Sequence, residues 1–292
     1  MQPLQDATIG TIAIAGRRVR RLGFGAARVS GARDLDGRRD RQLARQLCQR
    51  AYDRGINFID VASVYGRGEC EEIIAEALYP YPADLLIASK AGMAAFRNDA
   101  GRTVTAPDGR PEFIRAECER SLRRLRLDHI DLYQIHSPDP SVPWSETVGA
   151  FALLQQAGHI GHIGLSNVSV EQLDAATAIA PIASVQNLYN VGVRSSEPVL
   201  EACEQRGIPF IPYSPNLLGD SPAVAVVADI AATCEVSAPQ IQVAWVLARS
   251  PMNLPIPGTT SLAHVDDNVD SAWLNLSEEQ LARLDAAGAT ER

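Results

Sequence analysis

The chain has 292 residues, of which 46% are hydrophobic and 21% are charged. This composition excludes an intrinsically disordered chain, and the length suits either two average domains or one large α/β barrel. A net charge of −8 and a pI near 5.2 argue against a sequence-independent nucleic-acid binder, which needs a basic surface for phosphates.

Short apolar runs alternate with amphipathic segments along the chain. We predict strands at residues 21–26, 56–61, 85–89, 130–136, 162–166, 184–188, 209–213 and 253–257. Between them we predict helices at residues 39–54, 69–78, 111–126, 144–157, 170–179, 196–206 and 238–249. Continuous apolar strands are typical of a parallel sheet buried on both faces. The pattern predicts an α/β fold, a (β/α)8 TIM barrel, with residues 1–292 as a single domain. A doubly wound sheet is the competing fold, but the first strand lacks the GxGxxG turn of a dinucleotide-binding half.

Two further segments lie outside this repeating pattern. Residues 8–15 and 17–21, hinged at Gly16, predict a β-hairpin that closes the floor of the barrel. Residues 91–110 are the longest stretch that we predict to be irregular. A loop of this length is usually functional or mobile.

The cysteines and the N-terminus indicate the compartment. The N-terminus lacks a basic segment before an apolar core, and no apolar run approaches about 20 residues. We therefore expect a cytoplasmic protein that binds neither membrane nor nucleic acid. The five cysteines are scattered and form no CxxC pair, so the sequence predicts neither a disulfide framework nor a metal site.

Lys90 is the only lysine among 27 basic residues. An ammonium group is compact and its pKa can shift, whereas a guanidinium stays charged and planar. A single lysine can arise by chance, but this one lies at the end of a predicted strand. In a barrel, the chemistry sits at the C-terminal ends of the strands.

Other polar residues also lie at predicted strand ends. They are Asp60, Tyr65, His136, Ser166, Asn167, Gln186, Tyr213 and Ser214. Titratable groups that converge on one barrel mouth form a candidate acid–base site. Each residue also has a purely structural interpretation, such as a plain ion pair, a helix cap, a loop histidine or a core aromatic. Their occurrence in this order favours a site.

The strand-end residues suit the reduction of a carbonyl group. A phenol with a pKa near ~10 is a poor acid at neutral pH, and a neighbouring ammonium lowers that pKa. Tyr65, assisted by Lys90, can then protonate a carbonyl oxygen to which His136 donates a second hydrogen bond. Such a reaction needs a hydride donor. The amides of Asn167 and Gln186 suit a nicotinamide carboxamide, and Tyr213 would present a flat ring on which the nicotinamide stacks.

Several runs resemble the aldo-keto reductase superfamily from about Thr8 to the C-terminus. They are Gly55-Ile-Asn-Phe-Ile-Asp60, Tyr65-Gly66, Ser89-Lys90, Gln134-Ile-His136, Gly164-Leu-Ser-Asn167, Gln186-Asn-Leu-Tyr189, Tyr213-Ser-Pro215 and Ile256-Pro-Gly258. The resemblance implies a carbonyl reductase that uses NADP(H). It also implies a catalytic tetrad of Tyr65 as proton donor, Lys90 as its partner, Asp60 as the anchor of Lys90, and His136 as the carbonyl-orienting donor.

The resemblance also implies a set of cofactor-binding residues. Ser166, Asn167 and Gln186 would hold the carboxamide, and Tyr213 would stack on the nicotinamide. The loop over the pyrophosphate would include Ser214, Pro215, Leu217 and Gly219. The adenosine end would be bound by Ile256, Gly258, Thr259, Thr260, His264 and Asn268.

The adenosine end departs from the best-known pattern of the superfamily. Many members carry a Lys and an Arg that bind the 2′-phosphate, and here those positions hold Gly258 and His264. Asp266 and Asp267 make the region acidic, which disfavours a phosphate dianion. NADP(H) is the cofactor that the family favours, and NAD(H) or dual use is the alternative.

Within the superfamily, the runs at residues 76–81 and 256–264 resemble a bacterial branch that includes pyridoxal reductases. We expect a small-molecule carbonyl substrate and a monomer or weak homo-oligomer. Alternatives are a pyridoxal reductase, a sugar or natural-product ketone reductase, and a cofactor-binding regulatory subunit that senses redox state. Arg28 is interpreted as a solvated loop arginine, with a substrate-facing position as its alternative.

Overall fold

A six-stranded parallel sheet with the order β10-β9-β8-β5-β4-β3 is the centre of the fold. The computed structural model describes residues 2–34, 36–98 and 101–288. Its strands are β1 (Thr11–Ile14), β2 (Arg17–Arg20), β3 (Phe24–Gly25), β4 (Phe58–Asp60), β5 (Leu86–Ala91), β6 (Met93–Arg97), β7 (Thr103–Pro107), β8 (Ile130–Ile135), β9 (Ile160–Ser166) and β10 (Ile182–Gln186). The sheet strands fall within, or overlap, the first six predicted strands.

Helices connect and cover the strands. They are α1 (Asp6–Ile9), α2 (Arg41–Asp53), α3 (Glu69–Leu78), α4 (Pro111–Leu125), α5 (Trp144–Gln156), α6 (Val170–Thr177), α7 (Glu197–Arg206), α8 (Ala223–Cys234), α9 (Ala238–Arg249), α10 (Leu262–Asp270) and α11 (Glu278–Gly288). Short 3₁₀ turns occupy Ala26–Gly31, Tyr65–Gly68 and Ser271–Trp273. The seven predicted helices are all present, with ends within two residues of the prediction.

The last two predicted strands are extended segments held by isolated parallel bridges. Phe210 pairs with Val185 of β10 on one side and with Asn253 on the other. Further on, the Gly23 and Gly25 N–H groups donate to the carbonyls of residues 255 and 257 at 2.9 and 3.2 Å. Prolines at positions 209, 212, 255 and 257 have no N–H to donate, which prevents a continuous ladder in these segments.

Two other predictions need correction. Residues 8–15 do not form one strand, because α1 takes up residues 6–9 and β1 begins at Thr11, after Gly10 in a left-handed conformation (φ 74°). Residues 91–110 are not irregular throughout, because β6 and β7 pair there as an antiparallel hairpin, and residues 99 and 100 of this range lie outside the described residues. The Asn98 side chain accepts the Arg102 N–H at 3.0 Å and so joins the two strands just beyond their paired residues.

Besides α1, helices α8, α10 and α11 were not predicted. The segment of α8 is rich in Ala and Val and lacks the periodic polar face by which an amphipathic helix is recognised. In the described residues, no single helix has the length and apolar composition to cross a membrane. Helices α8 and α9 meet those two criteria only as a pair, which is bent by 99°.

Apolar side chains fill the inner face of the curved sheet below the strand ends. A cluster there joins Phe58, Leu86 and Leu132 with side chains of the 211 and 254–256 segments. The antiparallel hairpin β1–β2 contributes Ile12, Ile14 and Val19 to the same cluster. Side chains two residues apart share a face of a strand. Residues 60, 90 and 134 therefore also lie on the inner face, at the carboxyl ends of their strands.

Glycines allow the first and last segments of the sheet to approach closely. A Cβ atom added to Gly25 would lie 2.6 Å from the Ile256 carbonyl oxygen. Gly258 faces the Gly25 backbone in the same way. Since the neighbours on both sides are main chain, they cannot move aside as a flexible side chain would.

We therefore expect Gly25→Ala to lower the free energy of unfolding by about 1–3 kcal/mol, the usual range for overpacking. Gly149 in helix α5 is the control, because a Cβ atom there meets nothing within 4 Å. Gly149→Ala should be neutral or stabilising by about 0.5–1 kcal/mol. Urea unfolding followed by circular dichroism measures both, and equal stabilities for the two variants would contradict the steric argument.

Candidate active site

The carboxylate of Asp60 is the centre of a buried polar cluster at the strand ends. Its Oδ2 accepts a hydrogen bond from Lys90 Nζ at 2.6 Å. Its Oδ1 accepts from the side-chain amides of Gln186 at 2.8 Å and Gln134 at 3.1 Å. These donors come from β5, β10 and β8, so the cluster joins three strands of the sheet to β4.

Lys90 is fully buried, with 0% of its surface exposed. Burial alone lowers its pKa, but the negative charge of Asp60 and the Tyr65 side chain outweigh burial and raise the pKa above the ordinary value of a lysine. The ammonium also donates to the Val61 carbonyl at 3.0 Å. The site therefore holds a permanent positive charge in a medium of low dielectric constant, where its influence on neighbouring groups is strong.

Tyr65 lies beside Lys90 and His136. The Lys90 Nζ is 5.1 Å from the centroid of the Tyr65 ring. The Tyr65 and His136 rings meet edge to face with centroids 5.5 Å apart. Burial raises the pKa of Tyr65 above its ordinary value, while the Lys90 charge acts in the opposite direction. The net shift is opposite to the one predicted from the lysine, because burial outweighs it. The phenol keeps its proton at neutral pH.

His136 is a neutral imidazole. Burial and, to a smaller extent, the charge of Lys90 lower its pKa to about 3. Its Nδ1 is buried and has no hydrogen-bond partner among the described residues. A neutral imidazole carries one N–H, so His136 can donate a single hydrogen bond without supplying a positive charge.

The backbone after Tyr65 turns sharply. Gly66, Arg67 and Gly68 have φ values of 58°, 58° and 96°, all in the left-handed region. Arg67 is strained there, because only glycine adopts this conformation without cost. The turn leads directly into α3, and the Ser63 N–H donates to the Lys90 carbonyl at 3.1 Å. The segment that carries Tyr65 is thus fixed to the strand that carries Lys90.

Asn167 links three strand ends. Its Nδ2 donates to the His136 carbonyl at 2.9 Å and to the Ser166 hydroxyl at 3.1 Å. The Tyr213 hydroxyl donates to Asn167 Oδ1 at 2.8 Å. Asn167 has a φ of 59°, a conformation that asparagine tolerates better than most residues. These bonds fix the Tyr213 ring beside the mouth of the site.

A cavity of about 840 Å³ opens above this cluster. Of the predicted site residues, its wall includes Asp60, Tyr65, His136, Ser166, Asn167, Gln186, Tyr213, Ser214, Leu217, Ile256, Gly258, Thr259, Thr260, His264 and Asn268. Lys90 lies behind the wall, buried against Asp60. Pro215 and Gly219 belong to the same loop but are not part of the wall, and their predicted roles stay predictions.

The far end of the cavity meets the N-terminus of α10. Thr259 Oγ1 accepts the Ser261 N–H at 3.0 Å and lies 3.5 Å from His264 Nδ1. Asp266 is paired with Arg50 at 2.8 Å and with the buried Arg54, and it is not in the cavity wall. Of the two acidic residues predicted to repel a phosphate here, Asp267 lines the cavity and Asp266 does not.

Several residues of the cavity wall and one buried residue were not predicted from the sequence. The additional wall residues are Gly25, Ala27, Ser237 and Pro239, while Asn216 belongs to the loop 214–219 that the resemblance already implied. Arg28 is exposed, as its interpretation as a loop arginine expected, and is also part of the wall, so a position facing the substrate stays a prediction. Gln134 is the buried residue that was missed. Its spacing of two from His136 on a predicted inward-facing strand was the signal that could have identified it.

Comparison with known proteins identifies the family. The sequence profile described as "Aldo/keto reductase family" matches residues 21–289. The chain is 40% identical to an uncharacterized oxidoreductase of Schizosaccharomyces pombe over 97% of this chain and 91% of that protein. It is 37% identical to the pyridoxine 4-dehydrogenase of Escherichia coli over 94% and 97% of the two chains.

A solved structure supports the same assignment. The crystal structure of an aldo/keto reductase from Klebsiella pneumoniae in complex with NADP and acetate is similar, with a TM-score of 0.81 and 27% identity. The match covers 97% of this chain and 96% of that one. The fold of this chain is therefore of the TIM-barrel type found in that family. The chain belongs to the aldo/keto reductase family and is an oxidoreductase by that membership.

Proposed function

We propose that the protein transfers a hydride from a nicotinamide dinucleotide to the carbonyl of an aldehyde or ketone, with Tyr65 as the proton donor. The observation that carries the proposal is the Tyr65 phenol in the cavity wall, beside a buried lysine and the neutral His136. A phenol that keeps its proton at neutral pH is available as a general acid once a carbonyl oxygen develops negative charge beside it.

The four predicted catalytic residues divide the work. Tyr65 delivers the proton to the carbonyl oxygen, and His136 donates a hydrogen bond that orients that oxygen. Lys90 stabilises the phenolate that remains on Tyr65, because its charge lies within a buried, low-dielectric cluster. Asp60 keeps the ammonium charged and in place through the 2.6 Å bond.

The cavity suits a dinucleotide by its chemistry. Amide and hydroxyl groups of Ser166, Asn167 and Gln186 lie at the Tyr65 end and would hold a carboxamide, while the Tyr213 ring would stack on the nicotinamide. At the other end, the N–H groups that begin α10 favour an anion. The loop and adenosine residues would hold the remainder, namely Ser214, Pro215, Leu217, Gly219, Ile256, Gly258, Thr259, Thr260, His264 and Asn268. When bound, the cofactor supplies the hydride.

NADP(H) is the cofactor that we propose, with NAD(H) as the alternative. A structural relative binds NADP. In this chain, the pairing of Asp266 with two arginines removes one of the charges that would repel a 2′-phosphate. Thr259, Thr260 and His264 would donate hydrogen bonds in place of the basic residues of other family members.

The 37% identity with a pyridoxine 4-dehydrogenase supports one substrate candidate, a pyridoxal-type aldehyde.

We also propose that the eight extended segments close into a full (β/α)8 barrel with the β1–β2 hairpin on its floor. The bridges at Phe210 and the hydrogen bonds of Gly23 and Gly25 support this closure.

The main test is Tyr65→Phe. We expect the rate of carbonyl reduction to fall about 10²–10⁴-fold, because only the proton donor is removed. The dissociation constant of NADPH, measured by fluorescence titration, should stay within about twofold. The assay measures initial rates with NADPH and with NADH, using pyridoxal and a reactive aromatic aldehyde as substrates. Tyr52→Phe in helix α2, outside the cavity wall, is the control and should keep the wild-type rate. Normal turnover by the Tyr65→Phe variant would refute the assignment; cofactor binding without turnover by the wild type would favour the regulatory subunit.

The expected pH dependence of carbonyl reduction follows from the shifted pKa values of His136 and Tyr65. With a His136 pKa of about 3, the imidazole is already neutral at pH 5 and stays so at higher pH. With a raised Tyr65 pKa, the phenol stays protonated over the same range. We therefore expect kcat/KM for reduction to be level between about pH 5 and 8 and to fall only on the alkaline side. An inflection near pH 6.5 that disappears on substitution of His136 would show a functional imidazolium instead.

Cofactor preference is tested by His264→Arg. A guanidinium at this end of the cavity should improve the ratio of NADPH to NADH affinity by about tenfold or more, as a charge-assisted bond to a phosphate does. The same change at the exposed His159 is the matched control. An unchanged ratio would mean that residue 264 does not lie beside the 2′-phosphate.

A further inference from the structure

We propose that Gln134 is a positioning residue of this site, which aligns the Asp60 carboxylate with Lys90 and fixes the amide of Gln186 toward the cavity. This inference rests on the proposed function. It concerns a side chain that does not line the cavity itself and acts through the two residues to which it is hydrogen-bonded.

The contacts place Gln134 between two residues of the site. Its Nε2 donates to Asp60 Oδ1 at 3.1 Å, and its Oε1 accepts from Gln186 Nε2 at 3.4 Å. The Gln186 Nε2 also donates to the same Asp60 oxygen at 2.8 Å. The three side chains form a closed triangle on β4, β8 and β10. Rotating either amide by 180° would break a bond and place like groups together.

The first consequence concerns the proton donor. Asp60 has two oxygens, and only Oδ2 bonds to Lys90. The amides on Oδ1 prevent the carboxylate from rotating, so the ammonium stays at one position relative to the Tyr65 ring. Without Gln134, one bond remains on Oδ1. The stabilisation of the Tyr65 phenolate then weakens, because it depends on the distance to the charge.

The second consequence concerns the cofactor. Both donors of the Gln186 amide are directed to Asp60 and Gln134, so its nitrogen is committed within the protein. Gln186 also lines the cavity, and its oxygen is the atom left to accept a hydrogen bond there. A carboxamide N–H₂ is the complementary group. Loss of Gln134 leaves the Gln186 amide held by Asp60 alone and so weakens that selection.

The surroundings leave Gln134 little freedom. Its side chain is fully buried, and a Cβ atom added to Gly164 on the adjacent strand would lie 2.7 Å from its Cγ. The absence of a side chain at residue 164 thus creates the space that Gln134 fills. A buried amide that serves only packing would be replaceable by methionine, which has a similar shape.

The test compares Gln134→Met and Gln134→Glu with a control at another buried glutamine. Gln242 lies in α9, outside the cavity wall, and its amide nitrogen donates locally to the Ala238 carbonyl. We expect Gln134→Met to lower kcat about tenfold or more, with the KM of the carbonyl substrate within twofold, the usual effect of losing a bond to a charged group. NADPH should bind at least threefold more weakly by fluorescence titration. Gln242→Met should match the wild type in all three constants.

Gln134→Glu adds a signature that a packing role cannot produce. Its carboxyl would face Asp60 of β4, whose other oxygen accepts from Lys90 of β5, and His136 follows directly after β8, the strand that carries residue 134. Repulsion between the two carboxylates raises the pKa of the new glutamic acid. When protonated, it can donate to Asp60 Oδ1 as the amide does. Its activity relative to the wild type should therefore rise at least threefold from pH 8 to pH 5, and that of Gln134→Met should not change.

The outcomes separate the two proposals. If the wild type shows Tyr65-dependent turnover but Gln134→Met retains its kcat and NADPH affinity, the positioning role is wrong and the proposed function stands. If the wild type shows no turnover, the proposed function fails, and NADPH affinity alone decides whether Gln134 fixes Gln186. Should Gln134→Met not fold, the pH dependence of Gln134→Glu decides, and a flat ratio to the wild type overturns the inference.

Discussion

The buried ion pair between Lys90 and Asp60 is the constraint on which the rest of the site depends. An unpaired charge in the interior is highly unfavourable, so neither residue is tolerated there without the other. The pair also needs its remaining lone pairs satisfied, and the amides of Gln134 and Gln186 do this from two further strands. The register of four strands is therefore tied to one carboxylate. The same arrangement places a fixed positive charge beside Tyr65.

The inward-facing side chains of β4, β5 and β8 divide into an apolar part and a polar part. Phe58, Leu86 and Leu132 pack below the site with the β1–β2 hairpin, and the polar side chains follow two to four residues later on the same faces. The apolar layer excludes water from beneath the ion pair. That exclusion has two opposite effects, because it raises the pKa of Tyr65 and strengthens the influence of Lys90 upon it. A neutral His136 results from the same burial.

Where sequence patterns failed, local chemistry explains why. The segments around Phe210 and Asn253 have strand composition, yet their prolines cannot complete a ladder. Residues 91–110 contain Gly and Pro, which are typical of loops, but backbone pairing of β6 with β7 outweighs those local preferences. Helix α8 has an even apolar composition, so its helical period could not be read. Such outcomes depend on which partners a segment meets, and propensity does not specify partners.

The sequence by itself determined the six strands of the central sheet, seven of the helices, the family resemblance and the strand-end residues, because a period of two or 3.6 and the position of a single lysine are local properties. Tertiary structure decided which of these side chains meet. It assigned Gln134 to Asp60, paired Asp266 with Arg50 and Arg54, and reversed the expected shift in the pKa of Tyr65. The physical reason is that burial, dielectric environment and hydrogen-bond partners arise between segments distant in sequence, where no local pattern records them.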